Sequence, residues 1–270
     1  TFFLFVIGSG PSFSSDEYGK EYRMSAMVGD NETITQLLDD GKVTVDDTNR
    51  FGITALMLAV EADNFETVTI LLNRGADVNK VTVAGCTALT YAAENGNAGI
   101  MAMLLERGTY LESRTRSGLT ALMLASQYGL EDIVEQLLFK GANPNAVTQD
   151  NQTSLMMAAR NGHASVIPHL IEYGANIDSR ERNGATALIF AAAEGKLEAA
   201  EALLEMGAAV DIGDNDGTSA LMEAVSTGSA PLVKLLLEEG ANPDQKDISG
   251  VSARDMAQKK GSTDIMDLLK

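Results

Sequence analysis

The sequence predicts an all-α fold, a solenoid of stacked helix-turn-helix repeats joined by finger loops that resemble β-hairpins. Three observations predict it: a tripeptide that recurs every 33 residues, glycines at fixed distances from it, and two short apolar helical patterns between the glycines. A period of roughly 20–50 residues is typical of a stacked array rather than of a single closed core. The tripeptide is Thr-Ala-Leu or a close variant, and its copies begin at Thr54, Thr87, Thr120, Thr153, Thr186, Ser219 and Ser252.

The first helix of each repeat starts at the tripeptide. Thr54 is predicted to cap this helix by accepting a backbone N–H, and residues 55–60 then supply small and apolar side chains. A second helix is predicted from Glu66 to Asn73, with apolar residues at helical spacing. Neither helix is long enough to be stable alone in water. Each pair of helices is therefore expected to bury its apolar face against the next pair.

Glycines close the turns between these helices. One series precedes the tripeptide by two residues, as Gly52 does, and another follows it by nine residues, as Gly96 does. Glycine reaches positive φ without steric cost, so both series are predicted to adopt it. Asn151 replaces glycine in the first series and Asp63 replaces it in the second, and both residue types tolerate the left-handed region.

Together these positions resemble the ankyrin repeat family, whose skeleton G-x-T-A-L-x-x-A…G…L-L-x-x-G-A-D/N-x-N/D recurs along the chain. The resemblance implies about eight ankyrin-type repeats, with atypical first and last copies. The sequence departs from the family's T-P-L-H motif at two positions, where Ala or Ser replaces the proline and Met or another residue replaces the histidine. In the family, that histidine makes hydrogen bonds between neighbouring repeats, and here apolar packing is expected to replace them. We expect the methionines at this register to pack between repeats rather than to form an adaptable binding surface. The methionines are Met57, Met123, Met156 and Met222.

The chain is predicted to divide into a short tail and a repeat domain. The tail is residues 1–15, apolar and then rich in Gly, Ser and Pro, and the repeat domain is residues 16–270. Within the domain we expect an N-terminal cap repeat at 16–49, six internal repeats at 50–247 and a C-terminal cap repeat at 248–270. The tail is interpreted as a mobile or truncated end; the alternatives are the cut end of a longer segment and an apolar strip that docks on the first repeat.

Composition argues against several classes of function. The formal net charge is −18, from 38 acidic and 20 basic residues. Such a chain repels phosphate groups, so we expect neither nucleic-acid binding nor direct membrane binding. Cys86 is the single cysteine, which excludes an internal disulfide and fits an intracellular, cytoplasmic location. We expect a monomer or a subunit of a hetero-complex.

Residues for catalysis or metal binding are not grouped in the sequence. The two histidines, His163 and His169, have no third ligand in register, which makes a poor metal site. His163 follows Gly162 at the predicted start of a second helix, where the resembling family commonly has Gly-His, so a contact between repeats is expected. Cys86 has no neighbouring base in the sequence. We therefore expect no enzyme activity, no metal and no cofactor.

Function is predicted at the positions that vary between repeats. In the resembling family, partners are bound mainly by finger tips and by the exposed side of the first helix. Aromatic and arginine side chains are preferred in binding hot spots, and at those registers the sequence has aromatic, aliphatic and arginine residues. The predicted protein-binding residues are Arg50, Phe51, Ile53, Val83, Arg116, Leu119, Tyr128, Arg160 and Arg182.

The finger arginines leave two interpretations open. Arginine suits bidentate binding of a carboxylate-bearing peptide. The other interpretation is ion pairing between fingers, with carboxylates such as Asp150, Asp178 and Glu181, which is worth only about 0–1 kcal/mol per exposed pair.

The sequence as a whole predicts a non-catalytic module that binds a protein or peptide with acidic and apolar segments on a concave surface of fingers and first helices. Two alternatives remain. The chain could be a regulatory or targeting domain of a larger polypeptide or complex, such as a channel, kinase or ubiquitin-ligase subunit. It could also be a structural spacer in an assembly.

Overall fold

The structure, a computed structural model, describes residues 15–270 and confirms the all-α solenoid. Sixteen helices in these residues form eight consecutive pairs. They are α1 Ser15–Val28, α2 Asn31–Asp39, α3 Ala55–Glu61, α4 Phe65–Asn73, α5 Ala88–Asn95, α6 Ala98–Glu106, α7 Ala121–Tyr128, α8 Glu131–Phe139, α9 Ser154–Asn161, α10 Val166–Glu172, α11 Ala187–Ala193, α12 Leu197–Glu205, α13 Ala220–Thr227, α14 Ala230–Glu238, α15 Ala253–Lys260 and α16 Thr263–Leu268. The predicted tail lies outside the described residues, except for Ser15, which begins α1.

The tripeptide owes its recurrence to helix capping. The Thr54 hydroxyl accepts the N–H of Met57 at 3.2 Å, and each later copy repeats this bond at the start of its own first helix. The predicted left-handed turns are also confirmed. Asn151 has a φ of 61° and Asp63 a φ of 59°, and within residues 15–270 they are the only residues other than glycine with positive φ.

The core runs along the stack as an apolar layer between the helices, and a small second cluster of Met123, Ala146 and Met157 lies beside it. The methionines of the tripeptide register belong to this interior, with at most 2% of each exposed, which confirms packing rather than a binding surface for them. Neighbouring first helices pack more closely than neighbouring second helices do. The stack therefore curves toward the first helices, which form its concave face.

Seven fingers connect each second helix to the next first helix and border this concave face. A backbone bond closes each one, as between Asn49 N–H and the Ile53 carbonyl. We number them finger 1 (40–54), finger 2 (74–87), finger 3 (107–120), finger 4 (140–153), finger 5 (173–186), finger 6 (206–219) and finger 7 (239–252).

Hydrogen bonds between the bases of the fingers supply the polar contacts between repeats. At each of the six junctions between fingers 1 and 7, one side-chain oxygen accepts a backbone N–H of the next finger, at 2.8–3.1 Å. Asn79, for example, accepts from Tyr110. The acceptors are Asp46, Asn79, Glu112, Asn145, Asp178 and Asp211. This hydrogen bond between fingers explains why the repeat skeleton G-A-D/N-x-N/D ends in Asn or Asp.

The turn before α10 differs from the prediction. His163 was expected to start this helix, but the helix begins at Val166. A helix from His163 would place the Pro168 ring against the Ala164 carbonyl, which a proline in the helix interior does not tolerate. His163 still makes a contact between repeats, because its Nε2 lies 2.9 Å from the Gln127 carbonyl oxygen.

Candidate protein-binding surface

A cleft of about 380 Å³ opens on the concave side between fingers 3 and 4. Its walls come from the two finger tips and from the ends of α7 and α9. Leu119 and Met157 provide apolar surface, and Arg160 provides the positive charge. Amide side chains of Gln127 and Gln149 also border the cleft. The lining is mostly polar, and Leu119 and Met157 form its apolar part. Such a cleft suits a polar or charged group of a ligand with a small apolar group beside it.

Two of the predicted residues, Leu119 and Arg160, therefore meet in this cleft. Leu119 is half-buried and packs with Met123 and Met157. The Arg160 guanidinium lies over the ring of Phe190, 4.0 Å from its centroid. This cation–π contact positions the side chain while leaving its charge without a carboxylate partner among the described residues.

A second group of predicted residues lies along the tips of fingers 1 to 3. Phe51 is 50% exposed and Val83 is 63% exposed, and the Val83 N–H donates to the Phe51 carbonyl at 2.8 Å. Arg50 lies over the Phe51 ring at 4.6 Å. Arg116 Nη2 donates to the Val83 carbonyl at 3.1 Å. These four residues form a continuous exposed edge, which we call the finger edge.

The remaining three predicted residues lie beside these two groups. Arg182 pairs with Asp150 across fingers 4 and 5, with 3.0 Å between Nη1 and Oδ1, so the ion-pair interpretation applies to this arginine. Ile53 is half-buried against the core and offers only part of its side chain. Tyr128 is exposed at the end of α7.

The sequence prediction omitted the residues on the floor of the concave face. They lie one to a repeat, two positions after the leucine of the tripeptide. The register includes Met157 in the cleft and Phe190 beneath Arg160. Its members differ in size and charge as much as the finger tips do, so the same criterion of variation would have found them. They are Leu58, Tyr91, Leu124, Met157, Phe190 and Glu223.

Carboxylates flank the cleft on both sides along the concave face. Glu94 is exposed, but partial desolvation raises its pKa above the ordinary value, and the nearby Glu61 carboxylate adds to this. On the other side, burial and then Asp214 raise the pKa of Glu223. Along the first helices, Arg160 in α9 therefore lies between one carboxylate in α5 and another in α13.

Glu94→Gln is expected to raise the melting temperature slightly at pH 7. The folded state raises the pKa of Glu94 above its ordinary 4.5, so ionised Glu94 lowers stability above that pH, and the amide removes this penalty. The gain should shrink as pH falls toward 4.5, where wild-type Glu94 becomes protonated. Thermal unfolding at several pH values measures it, with Glu201→Gln in α12 as control. A gain that grows on acidification would contradict the assignment.

Two further findings concern the described residues. Across residues 15–270, no three His, Cys, Asp or Glu side chains come together in a way that could hold a metal ion. Within the same residues, no helix has the length and apolar character needed to cross a membrane.

The fold and the cleft define a class of protein, a helical repeat scaffold with an open, elongated groove. The sequence matches the family model described as ankyrin repeats (3 copies), in overlapping segments at residues 22–115, 75–148, 122–214 and 155–247. The chain therefore belongs to the ankyrin repeat family. Ankyrin repeats are generally protein–protein interaction modules, and the fold is generally a non-catalytic scaffold.

Among solved structures, the human ASB11 ankyrin repeat domain is similar to this chain, with a TM-score of 0.74 and 26% sequence identity. The similarity covers 81% of this chain and 98% of that one. No curated protein sequence gives a significant match.

Proposed function

We propose that this chain is a non-catalytic module that binds a partner protein or peptide on its concave face. One observation carries the proposal: side chains at the variable positions of successive repeats lie on one continuous surface. Leu119 and Arg160 line one cleft, and Phe51, Val83 and Arg116 continue from it along the finger edge. Variable positions that share one surface are where a repeat scaffold can recognise a particular partner.

The rigidity of the fingers supports the same function. Six junctions carry the base hydrogen bond, so the groove is preformed and little conformational entropy is lost on binding. Exposed Phe51 and Val83 favour apolar segments of a partner, and the arginines favour acidic ones. Cys86 is the single cysteine, so the chain has no internal disulfide; this suits a reducing compartment and therefore an intracellular partner.

A triple variant tests this proposal. Phe51→Ala, Arg116→Ala and Tyr128→Ala together should weaken binding of a captured partner by at least tenfold, because aromatic and arginine anchors contribute most to such interfaces. The partner is first captured from cell extract on the wild-type protein. Its affinity for wild type and variant is then measured with purified components.

A matched control carries the same three residue types on the second-helix side. Phe139, Arg74 and Tyr173 lie at the ends of α8, α4 and α10 and are all exposed. Replacing these three with alanine should leave the affinity unchanged. An equal loss of affinity in both triple variants, or a loss in the control alone, would contradict a concave binding face. A structural spacer that contacts partners only at its ends predicts no loss of affinity in either variant.

A further inference from the structure

The tips of the fingers are joined by a second series of hydrogen bonds, distinct from the one at their bases. At five of the six junctions between fingers 1 and 7, a backbone N–H donates to a carbonyl of the preceding finger at 2.7–2.9 Å. The donors and acceptors are spaced by 32 residues throughout. The pairs are Val83 with Phe51, Arg116 with Ala84, Arg182 with Asp150, Asn215 with Asn183 and Ile248 with Asp216.

The junction between fingers 3 and 4 lacks this bond. By register, the Gln149 N–H should donate to the Ser117 carbonyl, but within the described residues neither group has a hydrogen-bond partner. A Cβ on Gly118 would remain 3.8 Å from Gln149 N, whereas a Cβ on Gly85, at the preceding junction, would lie 2.5 Å from a carbonyl oxygen of the next finger. The two finger tips therefore stand further apart here than at that neighbouring junction.

Arg114 spans the opened junction in place of the backbone bond. Its Nη1 donates to the Gly118 carbonyl of its own finger at 2.9 Å and to the Val147 carbonyl of finger 4 at 2.7 Å. The separation is thus held by a side chain, and the unpaired Gln149 N–H and Ser117 carbonyl border the cleft described above.

The charged side chains that line the cleft indicate which kind of ligand it would bind. Its two charged residues are Arg160 and Asp150, and Asp150 is already paired with Arg182. Arg160 is therefore the charged group that a ligand would meet, and its complement is a carboxylate. Glu94 in α5 and Glu223 in α13 lie on either side of the cleft along the first helices and would repel further negative charge.

We propose that the cleft between fingers 3 and 4 binds an extended segment of a partner protein that carries one carboxylate side chain. The segment lies across the mouth of this junction, where one of its carbonyl groups accepts from the Gln149 N–H and one of its N–H groups donates to the Ser117 carbonyl. Its carboxylate contacts Arg160, and a neighbouring apolar side chain contacts Leu119 and Met157. This proposal rests on the proposed function and adds the chemistry of the partner and the junction where it docks.

A peptide selection tests the chemistry. A random dodecapeptide library displayed on phage is selected on the wild-type protein, and the enriched peptides are synthesised and titrated. We expect one shared Asp or Glu with neutral or basic neighbours. Arg160→Gln should weaken their binding about tenfold or more, and Arg160→Lys should weaken it less. The matched control is Arg74→Gln at the end of α4, where Arg74 pairs with Asp39, and it should leave binding unchanged.

Amide NMR tests the docking site separately. In the free protein, the Gln149 N–H should exchange with solvent faster than the bonded tip amides of Val83, Arg116 and Arg182, because it lacks their partner. Adding an enriched peptide should slow this exchange and shift the Gln149 amide signal. The melting temperature of each Arg160 variant checks that it is folded.

Three results would overturn the docking proposal: no enriched peptide, equal affinity of wild type and Arg160→Gln, or an unchanged Gln149 amide in the complex. Each leaves the proposed function standing if the triple variant at Phe51, Arg116 and Tyr128 still loses a captured partner. Conversely, if that triple variant binds as wild type does while Arg160→Gln fails, the cleft is supported and the wider finger surface is not.

Discussion

Gly85→Ala is expected to destabilise the protein by about 3 kcal/mol, the sum of a strained backbone and a collision with the next finger. Gly85 has a φ of 80°, in the left-handed region that a residue with a Cβ adopts only at a cost. A Cβ there would also lie 2.5 Å from the Arg114 carbonyl oxygen and 3.0 Å from Arg116 N. These are backbone atoms, so finger 3 as a whole would have to move. Urea denaturation measures the loss.

Gly108→Ala separates the two contributions. Gly108 has a similar φ of 75°, but nothing lies within 4 Å of a Cβ at this position. It should cost only the conformational part, about 1 kcal/mol. If the two variants unfold at the same urea concentration, close packing between fingers 2 and 3 does not contribute to stability. The Gly85 variant should also disturb the bond from Arg116 N–H to the Ala84 carbonyl, and with it the finger edge.

The contrast between local and non-local features explains what the sequence could predict. Positive φ at Asn151 and Asp63 follows from their register alone, because a turn imposes its geometry on whichever residue occupies it. Capping by Thr54 is equally local, since donor and acceptor are three residues apart. In a repeat array such local features recur in every copy, here seven times for the capping tripeptide, and the fold class can be predicted from them.

The candidate site depends on distances between side chains of different repeats, and these distances cannot be predicted from the position of a residue within its own repeat. Arg160 and Arg182 are the same residue type at variable positions, and the sequence left both ion pairing and ligand binding open for them. The structure separates them: Arg182 faces Asp150, whereas Arg160 stacks on Phe190. The opened junction at Gln149 is likewise invisible in the sequence, because it arises from the spacing of two fingers rather than from either one.

At His163 the repeat pattern predicts the helix start wrongly, because the sequence of this repeat differs locally from that of the others. Its register predicts the start of a second helix, but Pro168 five residues later delays α10 to Val166. The contact between repeats survives because the imidazole still reaches the Gln127 carbonyl. Gln127 also borders the cleft, so this contact supports one of its walls.

Leu137→Ala in the centre of the array is expected to cost about 2–5 kcal/mol, the range for truncating a fully buried leucine. Leu137 is 0% exposed, and its helix α8 packs against α6, α7 and α10. Phe139→Ala in the same helix removes a larger side chain, but Phe139 is 75% exposed, so its loss should stay within about 0.5 kcal/mol. Burial rather than size should therefore set the order of the two variants.

The consequence of the Leu137 variant extends beyond its own repeat. Each repeat is stable only with its neighbours, so a weakened α8 loosens both interfaces that it shares. The urea transition of Leu137→Ala should shift to lower concentration and broaden, because the repeats on either side then unfold less cooperatively. The cleft draws its walls from the repeats of α7 and α9, so peptide affinity should fall together with stability. A Phe139 variant that loses as much stability as the Leu137 variant would show that α8 packs differently from the structure described here.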